Sequence, residues 1–483
     1  MTGPRGGRPL AASAALTLLA LLASRALAQT PAPVAIEPPA VALARLDSLQ
    51  EIVRTEEARI RGSLGLEANW DRLARAWFQV GDHAKAAKCL ERARAIGARE
   101  FDTALLSGRV ARSEARFGEA VEWLQRAVRM RPDDWEAHED LGLALYLDGR
   151  QAEAADHWER ARVLPASGSP DRTGLIAALR RVGEHPYKMS GSGRERVRFE
   201  PQGPRGALVV PVSINGRGPF RFSIDTGSPE VVLGRSLARE LKMMTFAGAD
   251  RGSLAAAVGV SFDYAALDSL TLGATTLHRL PVAVSDHPGL LGAGGIRGLI
   301  GFEVLRRFRF CIDFPDSALW LEPLATPGMS PGAPADSARP AWAPAGATAH
   351  RVPALLRGTH LLIAYGRVND GPERPFLLDA GSPGVSLAAP ASTIAEAGIT
   401  LDTTRVVTGS SAAGPASFLR FPVGRLCLGP ACRDSLEGAY GTFPPRLELN
   451  PNFRLAGLVL AGFLSRYRFG VDLSRREVWL VEP

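Results

Sequence analysis

Residues 222–229 read FSIDTGSP and residues 376–383 read FLLDAGSP. The same sequence thus contains twice an apolar run that ends in Asp-x-Gly-Ser-Pro. The first copy sits in ALVVPVSINGRGPFRFSIDTGS and the second in LLIAYGRVNDGPERPFLLDAGS. In the first, Asn215-Gly216 separates two apolar runs, which predicts a β-hairpin with a tight turn. An offset of 154 sends Asp225 to Asp379, Asn215 to Asn369 and Phe222 to Phe376 without a gap. Downstream, Leu272-Gly273 matches Leu428-Gly429 at an offset of 156. GLIGFEVLRRFRFCIDF (298–314) matches GLVLAGFLSRYRFGVDL (457–473) at 159, and ALWLEP or EVWLVEP follows as a last strand. The slow drift predicts a duplicated all-β unit, one copy over 196–324 and one over 347–483. A Pro/Ala-rich linker, 325–346, lies between them.

An isolated D-T-G-S is common in unrelated turns, where Asp simply caps the backbone. Here it recurs in register, beside a matching apolar-Gly run and an Arg-rich strand ending in Asp313 or Asp472. This set of motifs resembles the retropepsin-like aspartyl proteases. The resemblance implies two lobes that each contribute one aspartate, Asp225 and Asp379, to a single site. It further implies that Gly227 and Gly381 allow a tight loop and donate backbone N–H groups to the carboxylates. Ser228 and Ser382 are expected to bond the outer carboxylate oxygens, and Thr226 to reach across to the opposite loop.

Ala380 stands where a second Thr would stand and cannot make the reciprocal bond, a loss of about 0.5–1.5 kcal/mol. A second departure lies in the strand before the Arg-rich segment. Leu299-Ile300-Gly301 aligns with Leu458-Val459-Leu460, so the backbone is expected to differ there. Two carboxylates held this close cannot both ionise, so one is pushed up and the other down. The ionised member then serves as base to a water while the protonated one donates. The stretches 245–253 and 406–417 fall where a substrate-covering flap belongs. Tyr264 is a weak candidate for a water-orienting aromatic. Asp313 and Asp472 read as turn residues, and the clusters Arg306-Arg307-Arg309 and Arg466-Arg468 as solvated strand faces.

The first half has another pattern. Ala86, Ala120 and Ala154 recur at intervals of 34. Each is followed four residues on by Leu90, Leu124 or Trp158, and preceded twelve residues earlier by Ala74, Gly108 or Gly142. Small residues at fixed places let paired helices approach closely, and the bulky ones fill the gaps. A period of 34 with this alternation resembles the tetratricopeptide (TPR) repeat. That implies a helical solenoid over 41–165 with a concave, protein-binding face. Residues 166–195 read as a linker.

The 483 residues have a net charge of +7 without a block of like charges, which gives nucleic-acid binding no support. Arg5 and Arg8 precede the apolar run LAASAALTLLALLA, and Ala26-Leu27-Ala28 offers a cleavage site. Residues 1–28 therefore read as a signal peptide, and the protein as exported, to the periplasm or outside the cell, without a stable membrane anchor. Of four cysteines, only Cys427 and Cys432 are close, in CLGPAC. A local disulfide and two reduced thiols both fit. No spacing matches a metal site, and no cofactor is implied.

The reading is a multidomain protein: an all-α TPR solenoid, then an all-β, two-lobed retropepsin-like acid protease. Asp225 and Asp379 are the catalytic candidates, with Thr226, Gly227, Ser228, Ala380, Gly381 and Ser382 in the supporting loops. Its function is exported aspartic-type endopeptidase activity on peptide or protein substrates, with the array docking substrate or a protein partner. The rival is a weakened or inactive protease-like protein that binds peptides as a scaffold. A third arrangement pairs each lobe with a lobe of a second molecule. The linker 325–346 favours intramolecular pairing, because a tethered lobe has an effective concentration near millimolar.

Overall fold

The computed structural model describes the residues from 34 onward. Excepted are 35, 63–66, 97–99, 166, 184, 192–193, 201–206, 249–261, 287–290, 292–293, 325–338, 341, 383, 405, 412–413, 444–447 and 451–452. The expected signal peptide and most of the 325–346 linker lie outside the described residues.

The first half folds as helices laid in antiparallel pairs: α1 (Pro39–Gly62), α2 (Glu67–Gln79), α3 (His83–Ala95), α4 (Phe101–Ser113), α5 (Phe117–Met130), α6 (Trp135–Asp148), α7 (Gln151–Val163) and α8 (Thr173–Val182). Asp82 and Asp134 cap α3 and α6 by accepting from the N–H groups of Lys85 and Ala137 (3.0 and 2.9 Å). The 34-residue pattern has a direct packing meaning. Ala86, Ala120 and Ala154 are fully buried, as are Leu90 and Leu124. A Cβ at Gly142 would lie 2.5 Å from the Trp158 ring, and one at Gly108 would overlap Leu124. The two glycines are therefore the slots into which the next helix's large side chain fits.

The second half is β. Two lobes meet in a thirteen-stranded sheet whose central junction is an antiparallel pair, Phe308–Asp313 with Arg468–Asp472. Cys311 faces Gly470 in that register, and Trp342 covers the spot. The two lobes thus pair within one molecule. Matching turns are built alike: Asn215 and Asn369 both sit at φ 49°. Their side-chain oxygens accept from Ser269 N–H and Arg425 N–H, each at 3.0 Å.

Three sequence expectations are corrected here. Residues 166–195 are not a bare linker. They hold α8, which packs on the strand Asp263–Leu272, and the strand Lys188–Ser190, which pairs with Thr275–Val284. Of the arginines read as solvated faces, only Arg466 is exposed, and the paired strands themselves are not solvated faces. Arg309 donates to Asp472 (2.7 Å) and Arg468 to Asp313 (3.2 Å), so each lobe's arginine meets the other lobe's aspartate. Arg306 is buried against Glu303 and donates to the Leu147 carbonyl of α6 (3.1 Å). Asp313 and Asp472 are accordingly cross-lobe partners as well as turn residues. Their matched spacing, Arg-x-x-x-Asp at one offset, was the signal for this reciprocal pairing.

The array does not hang free of the lobes. The Tyr365 hydroxyl of lobe 2 donates to the Gly81 carbonyl (2.6 Å) and accepts from His83 N–H (3.1 Å). Gly81, at φ +87°, lies so close to Pro375 that a Cβ would approach it to 2.9 Å. Phe78 packs edge-on against Phe453, and Arg45 reaches Glu448. On the other side, Leu175, Ile176 and Leu179 of α8 share a core with Tyr264 and Phe262 of lobe 1. The helices and both lobes therefore bury common apolar surface, the main favourable term in such an association. Among the described residues no helix is long and apolar enough to cross a membrane.

Candidate active site

Each aspartate leaves the end of a central strand. Asp225 follows Arg217–Ile224, which lies antiparallel to Leu208–Ile214 and parallel to Ile296–Ile300. Asp379 ends Arg374–Asp379, antiparallel to Leu361–Val368 and parallel to Leu458–Leu460. The flanking strands hold the backbone on both sides, so the turn that follows starts from a fixed point. A short helix then pins each turn: Phe302 N–H donates to the Ser228 carbonyl (2.8 Å) and Ala461 N–H to the Ser382 carbonyl (3.2 Å).

The two turns interlock. A Cβ at Gly227 would lie 3.0 Å from the Asp379 carboxylate, and one at Gly381 only 2.6 Å from Asp225 Oδ1. Each glycine faces the opposite aspartate, and any side chain there would push the carboxylates apart. Thr226 is buried, and its Oγ1 accepts from the Ala380 N–H (2.9 Å). Ala380 is buried too, and its methyl offers no bond in return.

The carboxylates are solvated unequally. Gly227 N–H donates to Asp225 Oδ1 (2.8 Å), and Gly381 N–H to Asp379 Oδ1 (2.9 Å). Ser382 Oγ adds a bond to Asp379 Oδ2 (2.7 Å). Ser228 differs from the sequence expectation: its Oγ is turned to the Glu230 carbonyl (3.5 Å), not to Asp225. The residue matching Glu230 in lobe 2 is Gly384 at φ +105°, where the backbone takes another course and leaves Ser382 to the carboxylate. Burial first, and then the charge of Asp379, pushes the Asp225 carboxyl up to about 7. Burial also raises Asp379, and the Ser382 hydroxyl and the Gly381 N–H oppose that rise.

The second sequence departure is absorbed rather than transmitted. Gly301 and Leu460 are both extended, at φ −90° and −110°, and both precede a four-residue helix. The expected difference in backbone is therefore absent. A Cβ at Gly301 would overlap the Glu230 carbonyl. In lobe 2 the glycines stand elsewhere, at Gly384 and Gly462, and Leu460 fits as a buried side chain.

The flap stretches are only partly described. Thr245–Ala247 forms a strand beside Asp263–Leu272, while 249–261 lie outside the described residues. Val406–Ser411 pairs with Gly414–Leu428 as a hairpin. Tyr264 is 1% exposed, packed in the core where α8 crosses at Gly174, and so is no flap residue. Cys427 and Cys432 are joined as a disulfide across a hairpin, which decides the alternative the sequence left open.

Residues 210–304, which include Asp225, match the family model of the aspartyl proteases. Residues 72–134 and 105–169 match that of the tetratricopeptide repeat. The protein has an aspartyl protease domain and tetratricopeptide repeats. No curated protein matches it. Among solved structures, the crystal structure of MamA protein is 20% identical with a TM-score of 0.22, covering 23% of this protein and 62% of that one. MamA 41-end from Desulfovibrio magneticus RS-1 is 20% identical with a TM-score of 0.23, covering 26% and 72%. The match thus spans less than two thirds of the former's length, and likeness at this level carries no argument about function.

Proposed function

We propose that the protein is an exported aspartic endopeptidase whose two lobes are copies of one unit and whose dyad is Asp225 and Asp379. The observation that carries this reading is the interlock of the two turns, with each glycine against the opposite buried carboxylate. Like charges at this spacing hold one proton between them. Asp379, with the added Ser382 bond, is the member better able to hold the charge. Asp225, raised to about 7, keeps the proton. In hydrolysis Asp379 takes a proton from water as the water oxygen bonds the amide carbon. Asp225 gives its proton to the carbonyl oxygen. Collapse of the tetrahedral adduct breaks the C–N bond, and the leaving nitrogen takes a proton back from the dyad.

The single cross-turn bond from Ala380 N–H to Thr226 supports a second reading, a peptide-binding protein with weakened chemistry. The test is to incubate protein beginning at Gln29 with a diverse peptide library from pH 3 to 8, beside Asp225→Asn and Asp379→Asn. Cleavage by the wild type alone supports the peptidase. Three equally silent, folded proteins that still bind peptide support the second reading.

A further inference from the structure

The first helix of each pair in the array turns one side to the lobes. Phe78, at the end of α2, packs on Phe453 of lobe 2. Leu106 and Val110 of α4 share a core with Ile363 and Leu455 of the same lobe. The third of these helices, α6, reaches lobe 1 instead: its Leu147 carbonyl accepts from Arg306 Nη1 (3.1 Å). Leu147 lies in the last turn of α6, where carbonyls run out of helical N–H partners and a positive charge is favoured.

Arg306 directly follows Phe302–Leu305, the short helix that pins the Asp225 turn. Phe302 N–H and Glu303 N–H donate to the Ser228 and Pro229 carbonyls (both 2.8 Å). Those two residues follow Gly227, whose N–H holds Asp225 Oδ1. The Glu303 carboxylate is buried and accepts from Arg306 Nε (2.6 Å), Arg306 Nη2 (2.7 Å) and Arg307 Nη2 (2.5 Å). An unbroken run of bonds thus leads from α6 through Arg306 and Glu303 to the aspartate turn. A buried ion cluster of this kind adds little net stability, because desolvation of the charges offsets their attraction. Its forked, planar bonds fix geometry instead.

Lobe 2 has no counterpart. At the offset of 159, Glu303 aligns with Gly462 and Arg306 with Ser465. The helix Ala461–Leu464 is held to its own turn through backbone bonds, Ala461 N–H to the Ser382 carbonyl (3.2 Å) and Gly462 N–H to the Val385 carbonyl (3.1 Å). A Cβ at Gly462 would lie 2.5 Å from Val385. Where lobe 1 carries a charged link to the array, lobe 2 has a glycine fitted against backbone.

We propose that Glu303 and Arg306 are positioning residues through which the array sets the place of the Asp225 turn. Because α2 and α4 seat the array on lobe 2, and α6 carries that frame to lobe 1, the array braces one aspartate against the other. The mechanical coupling stands on these bonds; its effect on cleavage rests on the peptidase reading.

The test uses the full-length protein with Arg306→Met. Glu303 keeps Arg307, so no buried charge is orphaned, and methionine fills the stem of the lost side chain. Arg306→Lys keeps the charge, as a guard on folding, but loses the fork. Arg307→Met takes a charge from the same carboxylate and leaves the Leu147 bond in place. Hydrogen exchange, read by mass spectrometry, compares the turns at 222–230 and 376–386. In both Arg306 variants exchange over 222–230 rises about tenfold while 376–386 stays as in the wild type, and Arg307→Met gives a smaller rise. On a peptide that the wild type cuts, Arg306→Met lowers kcat about tenfold at nearly constant KM. The alkaline limb of its pH–rate profile moves down, because the Asp225 turn shifts away from the burial and the Asp379 charge that raise its carboxyl. Exchange that rises alike in both turns or in neither overturns the brace, as does Arg307→Met acting as strongly as Arg306→Met. So does an unmoved kcat in a protein whose wild type cuts. If the wild type cuts nothing and the 222–230 turn still loosens selectively, the coupling stands and the peptidase reading falls.

Discussion

The two aspartate turns have the same frame and unequal chemistry. Both follow a strand held between two neighbours, both are pinned by a short helix, and both place a glycine against the opposite carboxylate. Lobe 1 supplies the threonine bridge but turns its serine to the Glu230 carbonyl. Lobe 2 lacks the threonine and points its serine at the carboxylate. The comparison teaches that a symmetric frame does not need symmetric residues. Each turn holds one half of the polar equipment, and on the proposed reading the added Ser382 bond favours the charge on Asp379 and leaves the proton with Asp225.

Substitutions at the strand ends break the comparison most severely. Gly301→Ala drives a methyl into the Glu230 carbonyl, displaces the Asp225 turn and costs about 3 kcal/mol or more. Cleavage is lost along with stability. Leu460→Ala leaves a hole costing about 2–5 kcal/mol, yet the Asp379 turn is not pushed, and cleavage persists below a lowered Tm. Denaturation curves beside initial rates measure both. Equal loss of activity in the two variants would show that the lobes rely on these positions alike.

The serines come next. Ser382→Ala removes a donor from Asp379 and raises its pKa, so the acidic limb of the pH–rate profile moves up. Ser228→Ala, whose hydroxyl does not touch Asp225, leaves the profile in place. The smallest effect belongs to Ala380→Thr. A hydroxyl placed to accept the Thr226 N–H restores the missing bridge and adds about 0.5–1.5 kcal/mol to stability, read from urea unfolding. A loss of stability would mean that the buried methyl site has no room for it.

Much of this architecture is legible in the order of residues. The 34-residue period can be read because close helix approach forbids large side chains at Gly108 and Gly142. The aspartate turns can be read because glycine is imposed where two backbones nearly touch. What cannot be read arises from contacts between units. The Tyr365 bond to Gly81, the Arg306 bond to Leu147 and the core shared by α8 and Tyr264 involve residues ordinary in their own segments. No period or motif marks them. The solvated-face reading of the Arg-rich strands failed because it took each strand alone, whereas the matched Arg-x-x-x-Asp spacing of the two copies marks two strands that pair reciprocally.

The most direct measurement of the central claim is the pH dependence of kcat/KM for the full-length protein on a peptide cut in the library screen. A dyad sharing one proton predicts a bell. Activity falls on the alkaline side near pH 7, where the Asp225 proton is lost. It falls on the acidic side above the ordinary carboxylate range, because Asp379 is raised as well. A rate that stays level above pH 8, or that survives in Asp379→Asn, would contradict a shared proton between these two residues.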